Sequence, residues 1–386
     1  MTSSNQRSVL ILSLVHPDLL PSIYSVSDVL SAKGADVHVF TLRSPAASSP
    51  GFSEPFVLHE CGPSGGGFFA RRLARARFRK VLREWVKRHR PRAILAACPF
   101  GYLEALRVKP ADIPVVFLFY EMYDVTPRAF RLAPATTLRN WRALRRLSRA
   151  SLVCTPSSER SAWLLGRTGL KTLPATVLNS PSIASGQVAV DPSAATCLLP
   201  EGVLRKPIVI HTGGVTASRC LKEVVESAGQ WREDAALVIT NVGDSPYSRD
   251  VRAAAAASPR RADIVLLPLV SRAEMIALQR VAAVGVSLTR GSDLDTMLPA
   301  PNKIAEYVHA GLLAVTTRSS FTERMADRGL ALLIDSVDPP TLATRIDEAV
   351  RMARRGDTRA RALEAARGWY CMDVQLGPVL EVLGYA

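Results

Sequence analysis

The stretch DLDTMLPAPNKIAEYVHAGLLAVTTRS, residues 293–319, decides the fold because it joins a proline-bounded loop, a short helix and a buried strand. Asn302 follows the prolines and can cap a helix, since its side-chain oxygen accepts hydrogen bonds from free amides of the first turn. The helix is expected to end at Gly311, and residues 312–317 predict the strand. The start of such a helix directs unpaired N–H groups and a positive dipole end at any anion that the loop admits.

Glu306 lies about one turn inside this predicted helix. A carboxylate there can accept hydrogen bonds from two neighbouring sugar hydroxyls. The structural alternative is that Glu306 only complements the helix dipole or pairs with a surface base, as many first-turn acids do. The local pattern alone leaves both interpretations open.

Length, charge and cysteine usage limit the number of domains, the type of partner and the redox environment that the sequence allows. A chain of 386 residues predicts two domains, and its net charge of +15 indicates an anionic partner: a nucleotide-sugar phosphate, an anionic membrane surface or nucleic acid. An arginine- and alanine-rich composition is typical of a GC-rich bacterial genome, which weakens any inference from charge. The six cysteines lack metal-ligand spacing and favour free thiols in a reducing cytoplasm.

No signal peptide opens the chain, and no apolar run approaches the roughly 20 residues of a membrane span. We therefore expect a cytoplasmic protein, with peripheral contact at the inner face of the membrane left open.

Residues 1–180 alternate strand and helix patterns as in an open parallel sheet. The predicted strands are 9–15, 36–42, 93–97, 115–120 and 151–155. Ligands of such sheets bind at the carboxyl ends of the strands, where His16 follows the first strand and Glu121 and Tyr123 follow the fourth. These three are candidate site residues, although a histidine in a first loop is more often structural. Residues 44–67, rich in Pro, Gly and Ser, predict a mobile loop.

Residues 71–92 form the most basic stretch and predict an amphipathic cationic helix. One interpretation is a core-facing helix with a solvated arginine face, and the other is a landing patch for anionic lipid or an anionic acceptor. A second basic helix is expected to carry Arg139, Arg142, Arg145, Arg146 and Arg149.

After a proline- and glycine-containing linker at 181–202, the pattern restarts in a second domain at 203–365. A strand at 207–212 runs into Gly213 and Gly214, and a helix follows through about Trp231. The glycines let the backbone approach a diphosphate, and Arg219 near the helix start can neutralise it with a forked donor. This turn alone is a weak signal.

Four segments together carry a family resemblance: TPSSERSAWLL (155–165), VLNSPS (177–182), IVIHTGGVTASRCLKEVVESA (208–228) and PNKIAEYVHAGLLAV (301–315). In order and spacing they are similar to glycosyltransferases of the GT-B fold, and most similar to family 4, the retaining nucleotide-sugar transferases. The resemblance implies an α/β protein of two Rossmann-like, doubly wound parallel-sheet domains facing a central cleft. It further implies that residues 1–180 bind the acceptor, that 203–365 bind the nucleotide sugar, and that the C-terminal helix, 366–386, crosses back to the first domain.

The resemblance also implies roles for single residues. Glu306 would bind the ribose hydroxyls of the nucleotide and Arg219 the donor diphosphate. Two departures matter: Leu298 stands where the family has a first, sugar-contacting glutamate, and Gly214 stands where many members have an arginine. Contacts to the donor sugar would then fall to backbone amides near residues 299–302, which include Pro301 and Asn302. Lys303 is the candidate for the second diphosphate cation.

The implied reaction moves a sugar from an NDP-sugar, with UDP or GDP expected, to an acceptor hydroxyl with retention of anomeric configuration. The resemblance implies no cofactor and no metal, and the DxD-like triplet at 293–295 is discounted because it precedes the nucleotide helix. The acceptor is a lipid-linked sugar, a glycan or a secondary metabolite. Alternatives are a nucleotide-sugar 2-epimerase of the same fold and a non-catalytic protein that binds anions or nucleic acid, although no specific nucleic-acid module is visible.

Overall fold

A computed structural model describes residues 7–14, 16–17, 20–43, 55–63, 67–123, 125–186, 193–291, 294–298, 300 and 302–385. The chain divides into two compact units: Met1–Ser185 together with Cys371–Ala386, and Gly186–Tyr370. The predicted linker at 181–202 spans the first of these boundaries. Both units are α/β, as the alternation of strand and helix patterns predicts.

The first unit is built on a seven-stranded parallel sheet. Its strands are β1 (Ser8–Leu12), β2 (Asp36–Arg43), β3 (Val57–Pro63), β4 (Ala93–Ala96), β5 (Val115–Leu118), β6 (Leu152–Thr155) and β7 (Ala175–Thr176). They are ordered β3-β2-β1-β4-β5-β6-β7, so that Val9 of β1 lies between Val37 and Ala93. Every residue of β1 is buried, which explains its unbroken apolar sequence.

Helices cover this sheet. They are α1 (Ser22–Ala32), α2 (Phe68–His89), α3 (Pro99–Val108), α4 (Pro127–Leu132), α5 (Pro134–Leu144), α6 (Ser158–Arg167) and, at the unit boundary, α7 (Ile183–Gly186). Ser157 caps α6 by accepting from the amide of Arg160 at 3.3 Å.

Two predictions for the first unit were wrong. The Pro-, Gly- and Ser-rich stretch at 44–67 contains a strand, β3, which pairs with β2 from Val57 onward. Its other loop residues, at 44–54 and 64–66, lie outside the described part of the chain. The second basic helix is also shorter than expected: α5 ends at Leu144, and Arg149 falls in a separate 3₁₀ turn, Leu147–Arg149.

The second unit has a six-stranded parallel sheet. Its strands are β8 (Ile208–His211), β9 (Ala236–Ile239), β10 (Ile264–Leu266), β11 (Val284–Ser287), β12 (Leu313–Thr317) and β13 (Ala331–Ile334), ordered β10-β9-β8-β11-β12-β13. Its helices are α8 (Ser193–Leu198), α9 (Glu201–Leu204), α10 (Leu221–Ala228), α11 (Pro246–Ala257), α12 (Arg272–Val281), α13 (Leu294–Met297), α14 (Asn302–Ala310), α15 (Ser320–Asp327), α16 (Pro339–Arg354) and α17 (Asp357–Gly368).

The helix after the glycine turn differs from its prediction. A 3₁₀ turn, Ala217–Arg219, comes first, Cys220 takes a left-handed conformation at φ 54°, and α10 begins only at Leu221 and ends at Ala228. By contrast, α14 and β12 follow the sequence pattern closely, with Gly311 between them at φ 79°.

The last residues of the chain belong to the first unit. Helices α18 (Met372–Gln375) and α19 (Gly377–Leu383), with Leu376 between them, bury Met372, Leu376 and Val379 in the core that covers β1 and β2. The amide of Met372 also donates to the carbonyl of Pro181 at 2.9 Å. Among the described residues, no helix combines the length and apolar character that crossing a bilayer requires.

Candidate functional site

The turn after β8 approaches helix α14 very closely. Gly213 has φ 91°, and a Cβ placed on it would lie 3.0 Å from Cε and 3.3 Å from Nζ of Lys303. Its amide donates to Oγ1 of Thr240 at 3.3 Å. A Cβ on Gly214, in contrast, would meet no atom within 4 Å. The turn therefore holds the Lys303 ammonium group against Gly213 and leaves open space beside Gly214.

Glu306 lies one turn further along α14 and is linked to the same turn through Gln279 of α12. The side-chain amide of Gln279 lies 3.3 Å from Oε2 of Glu306 and 3.3 Å from Oγ1 of Thr212. Gln279 and Thr212 are both buried, and Glu306 is partly buried. The carboxylate is thus held by one donor and retains capacity to accept further hydrogen bonds.

Tyr307 fixes α14 against the sheet from its buried face. Its hydroxyl accepts from the amide of Thr212 at 3.2 Å and donates to the carbonyl of Val286 at 3.2 Å. A Cβ on Gly285 would lie 2.2 Å from the Tyr307 ring, so only glycine fits at that position of β11. This contact sets the depth at which Lys303 and Glu306 lie over the strand ends.

Arg219 approaches from the 3₁₀ turn. One of its terminal nitrogens, Nη1, donates to Oγ1 of Thr289 at 3.1 Å, just after β11. The guanidinium is partly exposed and keeps other donors for a ligand. Arg219 lies close enough to Lys303 for their like charges to interact.

Burial and this repulsion lower the pKa of Lys303 to about 8, while Glu306 acts in the opposite direction. Burial raises the pKa of Glu306, and the nearby Lys303, Gln279 and Arg272 oppose that rise. His211, fully buried at the end of β8, bonds through Nδ1 to the carbonyl of Val286 at 2.9 Å, and burial beside Lys303 lowers its pKa to about 3. The site thus brings together two cationic side chains and one carboxylate.

The remaining predicted residues of this loop and helix are placed only in part. Asn302 is the first residue of α14 and not the residue before it, and Pro301 lies outside the described residues, as does Asp293. Leu298, which stands eight residues before Glu306, directly follows α13. No group of three or more metal-ligating side chains occurs within the described ranges.

The first unit brings a second set of residues to the carboxyl edge of its sheet. His16 is buried, and its Nε2 lies 3.9 Å from a carboxylate oxygen of Glu60. The Tyr123 ring packs edge-on against Phe119 with centroids 5.1 Å apart, and Glu121 is exposed. The sequence thus predicted which edge carries these residues.

The cationic helix α2 is amphipathic, as predicted. Phe78, Leu82 and Val86 are buried, but Arg79 is not simply solvated. It makes two hydrogen bonds, at 2.6 and 2.8 Å, to the carboxylate of Glu104, a residue that is only 1% exposed. Arg79 of this helix therefore forms a structural ion pair that joins α2 to α3.

Several site residues were missed from the sequence. Gln279, Thr212 and Tyr307 carry the contacts that orient Glu306, and Arg139 lies beside Tyr123 and Arg75 in the first unit, where burial lowers its pKa. A polar residue on the buried face of an otherwise amphipathic helix was the available signal for Gln279.

Comparisons with known proteins agree with this architecture. Residues 22–179 match the model of Glycosyltransferase Family 4. Sucrose-phosphate synthase from Thermosynechococcus elongatus is 14% identical, with a TM-score of 0.70 over 98% of this chain and 99% of that one. HepE from Anabaena, solved in complex with UDP-glucose, is 14% identical, with a TM-score of 0.73 over 98% of this chain and 100% of that one.

A glycosyltransferase from Rickettsia africae is 13% identical, with a TM-score of 0.65 over 98% of each chain. Among curated proteins, no sequence matches the chain. The family model matches residues 22–179, which lie in the first unit, and the structural likenesses extend over both units. The chain therefore has the GT-B fold of these structures, and its residues 22–179 resemble Glycosyltransferase Family 4.

Proposed function

We propose that this protein transfers a sugar from a nucleotide diphosphate sugar, UDP-sugar in the first instance, to an acceptor hydroxyl. The observation that carries the proposal is the grouping of Glu306, Lys303 and Arg219 around the Gly213 turn of the second unit. The structural similarity to HepE, whose complex contains UDP-glucose, supports UDP as the nucleotide.

In this proposal Glu306 accepts hydrogen bonds from two neighbouring ribose hydroxyls. Gln279 holds one carboxylate oxygen at 3.3 Å and orients the group before the ligand arrives. Ribose hydroxyls would favour the ionised carboxylate, since hydrogen bonds to the charged form lower the pKa that burial raises.

The diphosphate is assigned to the space beside Gly214, between Lys303 and Arg219. Lys303 and Arg219 repel each other, and a bound diphosphate would give them a shared counter-ion. As the bond from sugar to phosphate breaks, charge grows on the leaving oxygen, and these groups together with the turn amides stabilise it. Removing one such donor typically costs ~10²-fold or more in rate. This supports a reaction without a metal ion.

Retention of configuration follows from the family resemblance and remains part of the proposal. With Leu298 in place of a glutamate, sugar contacts fall to backbone amides near Asn302, so the choice of donor sugar would depend on shape more than on a carboxylate.

The acceptor is assigned to the first unit, at the sheet edge that carries His16, Glu121 and Tyr123. A glycan, a lipid-linked sugar or a secondary metabolite fits the available chemistry. Peripheral contact with an anionic membrane belongs to this proposal, and residues 71–92 are one candidate surface for it because α2 exposes several cations.

The test is a thermal-shift titration with UDP, GDP, dTDP and ADP in the presence of EDTA. A nucleotide at ~100 times its dissociation constant stabilises the folded protein by about 2.7 kcal/mol. We expect UDP to raise the melting temperature by several degrees and Glu306→Ala to abolish that rise. Glu364→Ala is the matched control, because Glu364 is exposed on α17 of the same unit.

If none of the four nucleotides shifts the melting temperature at millimolar concentration, the proposed donor site is wrong. A nucleotide that binds only when EDTA is omitted would contradict metal independence. Conversion of a UDP-sugar to its epimer without any acceptor would contradict the transferase proposal and would show that the protein is an epimerase.

A further inference from the structure

The segment from Val125 to Ala150 has an extreme charge pattern. It contains seven arginines and no lysine, aspartate or glutamate. Carboxylates from other parts of the chain do not neutralise its exposed arginines. No carboxylate of the described residues lies within ion-pair distance of Arg128, Arg131 or Arg142. The donor site of the second unit makes no use of this segment.

Helices α4 and α5 arrange the segment as one exposed amphipathic surface. Helix α5 buries one side. Its opposite side carries Leu138, Trp141 and Arg142, and Arg145, the residue directly after the helix, continues their spacing of three and four residues. Helix α4 buries no residue at all. We call the exposed arginines and large apolar residues of α4, of α5 and of the position after α5 the α4–α5 face: Arg128, Arg131, Leu132, Leu138, Trp141, Arg142 and Arg145.

Hydrogen bonds of two threonines join α4 to α5 and cap α4. The hydroxyl of Thr137 donates to the carbonyl of Ala129 at 2.9 Å and to that of Ala133 at 2.9 Å. Thr126 caps α4 by accepting from the Ala129 amide at 3.3 Å. These contacts fix α4 and α5 relative to each other, so the α4–α5 face is one continuous surface.

Large apolar side chains stand among its arginines. Leu132 is 76% exposed and Trp141 is 38% exposed, and the Arg145 guanidinium lies 5.0 Å from the centre of the Trp141 ring. Exposed leucine and tryptophan side chains beside cations match the boundary between lipid headgroups and acyl chains, where both kinds of group are satisfied.

We infer that the α4–α5 face docks on the surface of an anionic lipid bilayer. Its arginines would contact phosphate headgroups, while Leu132 and Trp141 enter the interface. A nucleic acid would satisfy the arginines but would leave Leu132 exposed to water. This surface is distinct from α2, where Arg79 is paired with Glu104 and Arg90 with Asp112. The inference does not depend on which nucleotide the second unit binds.

The charge test uses sedimentation with vesicles of phosphatidylcholine alone and of phosphatidylcholine with 30% phosphatidylglycerol, a composition that sets the anionic charge at about one lipid in three. We expect binding to the anionic vesicles only. Each arginine near such a surface contributes about 1 kcal/mol, or about fivefold in affinity. The triple variant Arg128→Gln, Arg131→Gln, Arg142→Gln should therefore bind on the order of 100-fold more weakly.

A matched triple variant of α2, Arg77→Gln, Arg83→Gln, Arg88→Gln, removes the same charge from exposed positions of the same unit. We expect it to lose less than about fivefold, the contribution of a single arginine. If the α2 variant weakens vesicle binding as much as the α4–α5 variant, then binding depends on net charge alone, and the assignment to this face is wrong.

The apolar test keeps the charge constant. Leu132→Ser combined with Trp141→Ser should weaken binding to anionic vesicles by about tenfold or more, since insertion of these side chains is lost. Leu73→Ser is the control, because Leu73 is 72% exposed on α2. Unchanged vesicle binding by the double variant, or tighter binding of the wild type to a 20-nucleotide RNA than to the vesicles, would overturn the inference. Melting temperatures with and without UDP verify that each variant is folded.

Discussion

Replacing Gly213 by alanine tests the geometry of the proposed donor site most directly. The backbone at Gly213 has φ 91°, a value that residues with a Cβ rarely adopt. The new methyl group would also lie 3.0 Å from Cε of Lys303, closer than carbon atoms normally pack. The substitution therefore strains the backbone of the turn and displaces the Lys303 ammonium group from residue 213.

The expected magnitudes differ for stability and for binding. A residue other than glycine in this region of φ costs about 1–3 kcal/mol, offset by about 0.4–1 kcal/mol because alanine restricts the unfolded chain. A net loss of about 1–2 kcal/mol corresponds to a decrease of roughly 2–8 °C in the melting temperature of a unit of this size. Loss of one hydrogen bond to a charged group, worth about 1.5–3 kcal/mol, would weaken UDP binding roughly 10- to 100-fold.

Gly214→Ala is the internal control for the strain. A Cβ at Gly214 meets nothing within 4 Å, and its φ is not in the strained region. We expect the melting temperature of the unliganded variant to stay within about 1 °C of wild type, a change below about 0.5 kcal/mol. UDP binding should nevertheless weaken, because the added methyl group enters the space assigned to the diphosphate.

Thermal unfolding and UDP titration by calorimetry would measure both quantities on the three proteins. If Gly213→Ala keeps the wild-type melting temperature and UDP affinity, the close approach of Lys303 to the turn is wrong. If Gly214→Ala binds UDP as wild type does, the diphosphate does not occupy the space beside Gly214.

Three further predictions follow from the same structure. UDP affinity should be constant below about pH 8 and fall at higher pH, because Lys303 has a lowered pKa in the free protein and binds phosphate only when it is protonated. Titration with UDP from pH 6 to 10 measures this dependence, and the Lys303→Met variant should not show it. Gly285→Ala should destabilise the second unit by more than about 3 kcal/mol in urea unfolding, since the added methyl group would overlap the Tyr307 ring. Tyr307→Phe should cost about 1–3 kcal/mol in the same assay, because the hydrogen bonds of the hydroxyl are lost. Glu104→Gln should cost about 1–3 kcal/mol in urea unfolding, because Arg79 and Arg107 lose their charged acceptor but are themselves partly exposed to water. Arg79→Gln should cost less, since Arg107 still pairs with Glu104.

The sequence predicted most strands because parallel strands buried on both sides are unbroken apolar runs. β1, β4 and β5 are of this kind, and all begin within one residue of the predicted position. β3 was missed because it lies at the edge of the sheet, where Val57 is 53% exposed and the apolar pattern is interrupted by Pro and Gly on either side. Edge strands need less apolar surface, so their sequences are less distinctive.

For the candidate site, the sequence located the right elements but not their contacts. Lys303 and Gly213 are 90 positions apart, and their approach depends on how deeply α14 packs on the sheet. That depth is set by Tyr307 against Gly285, a contact between two residues that neither helical periodicity nor strand pattern connects. The interrupted start of α10 was missed for a related reason, since Cys220 takes a backbone conformation that its residue type does not favour.

The return of residues 371–386 to the first unit has a consequence for how the protein is made. The second unit is one continuous segment, whereas the first lacks Met372, Leu376, Val379 and Leu383 of its core until the end of the chain has left the ribosome. Domains usually complete their folding in the order of synthesis. Here the second unit can close first, while the first unit waits with exposed apolar surface. A premature stop after residue 370 would therefore damage the half of the protein that was translated earliest.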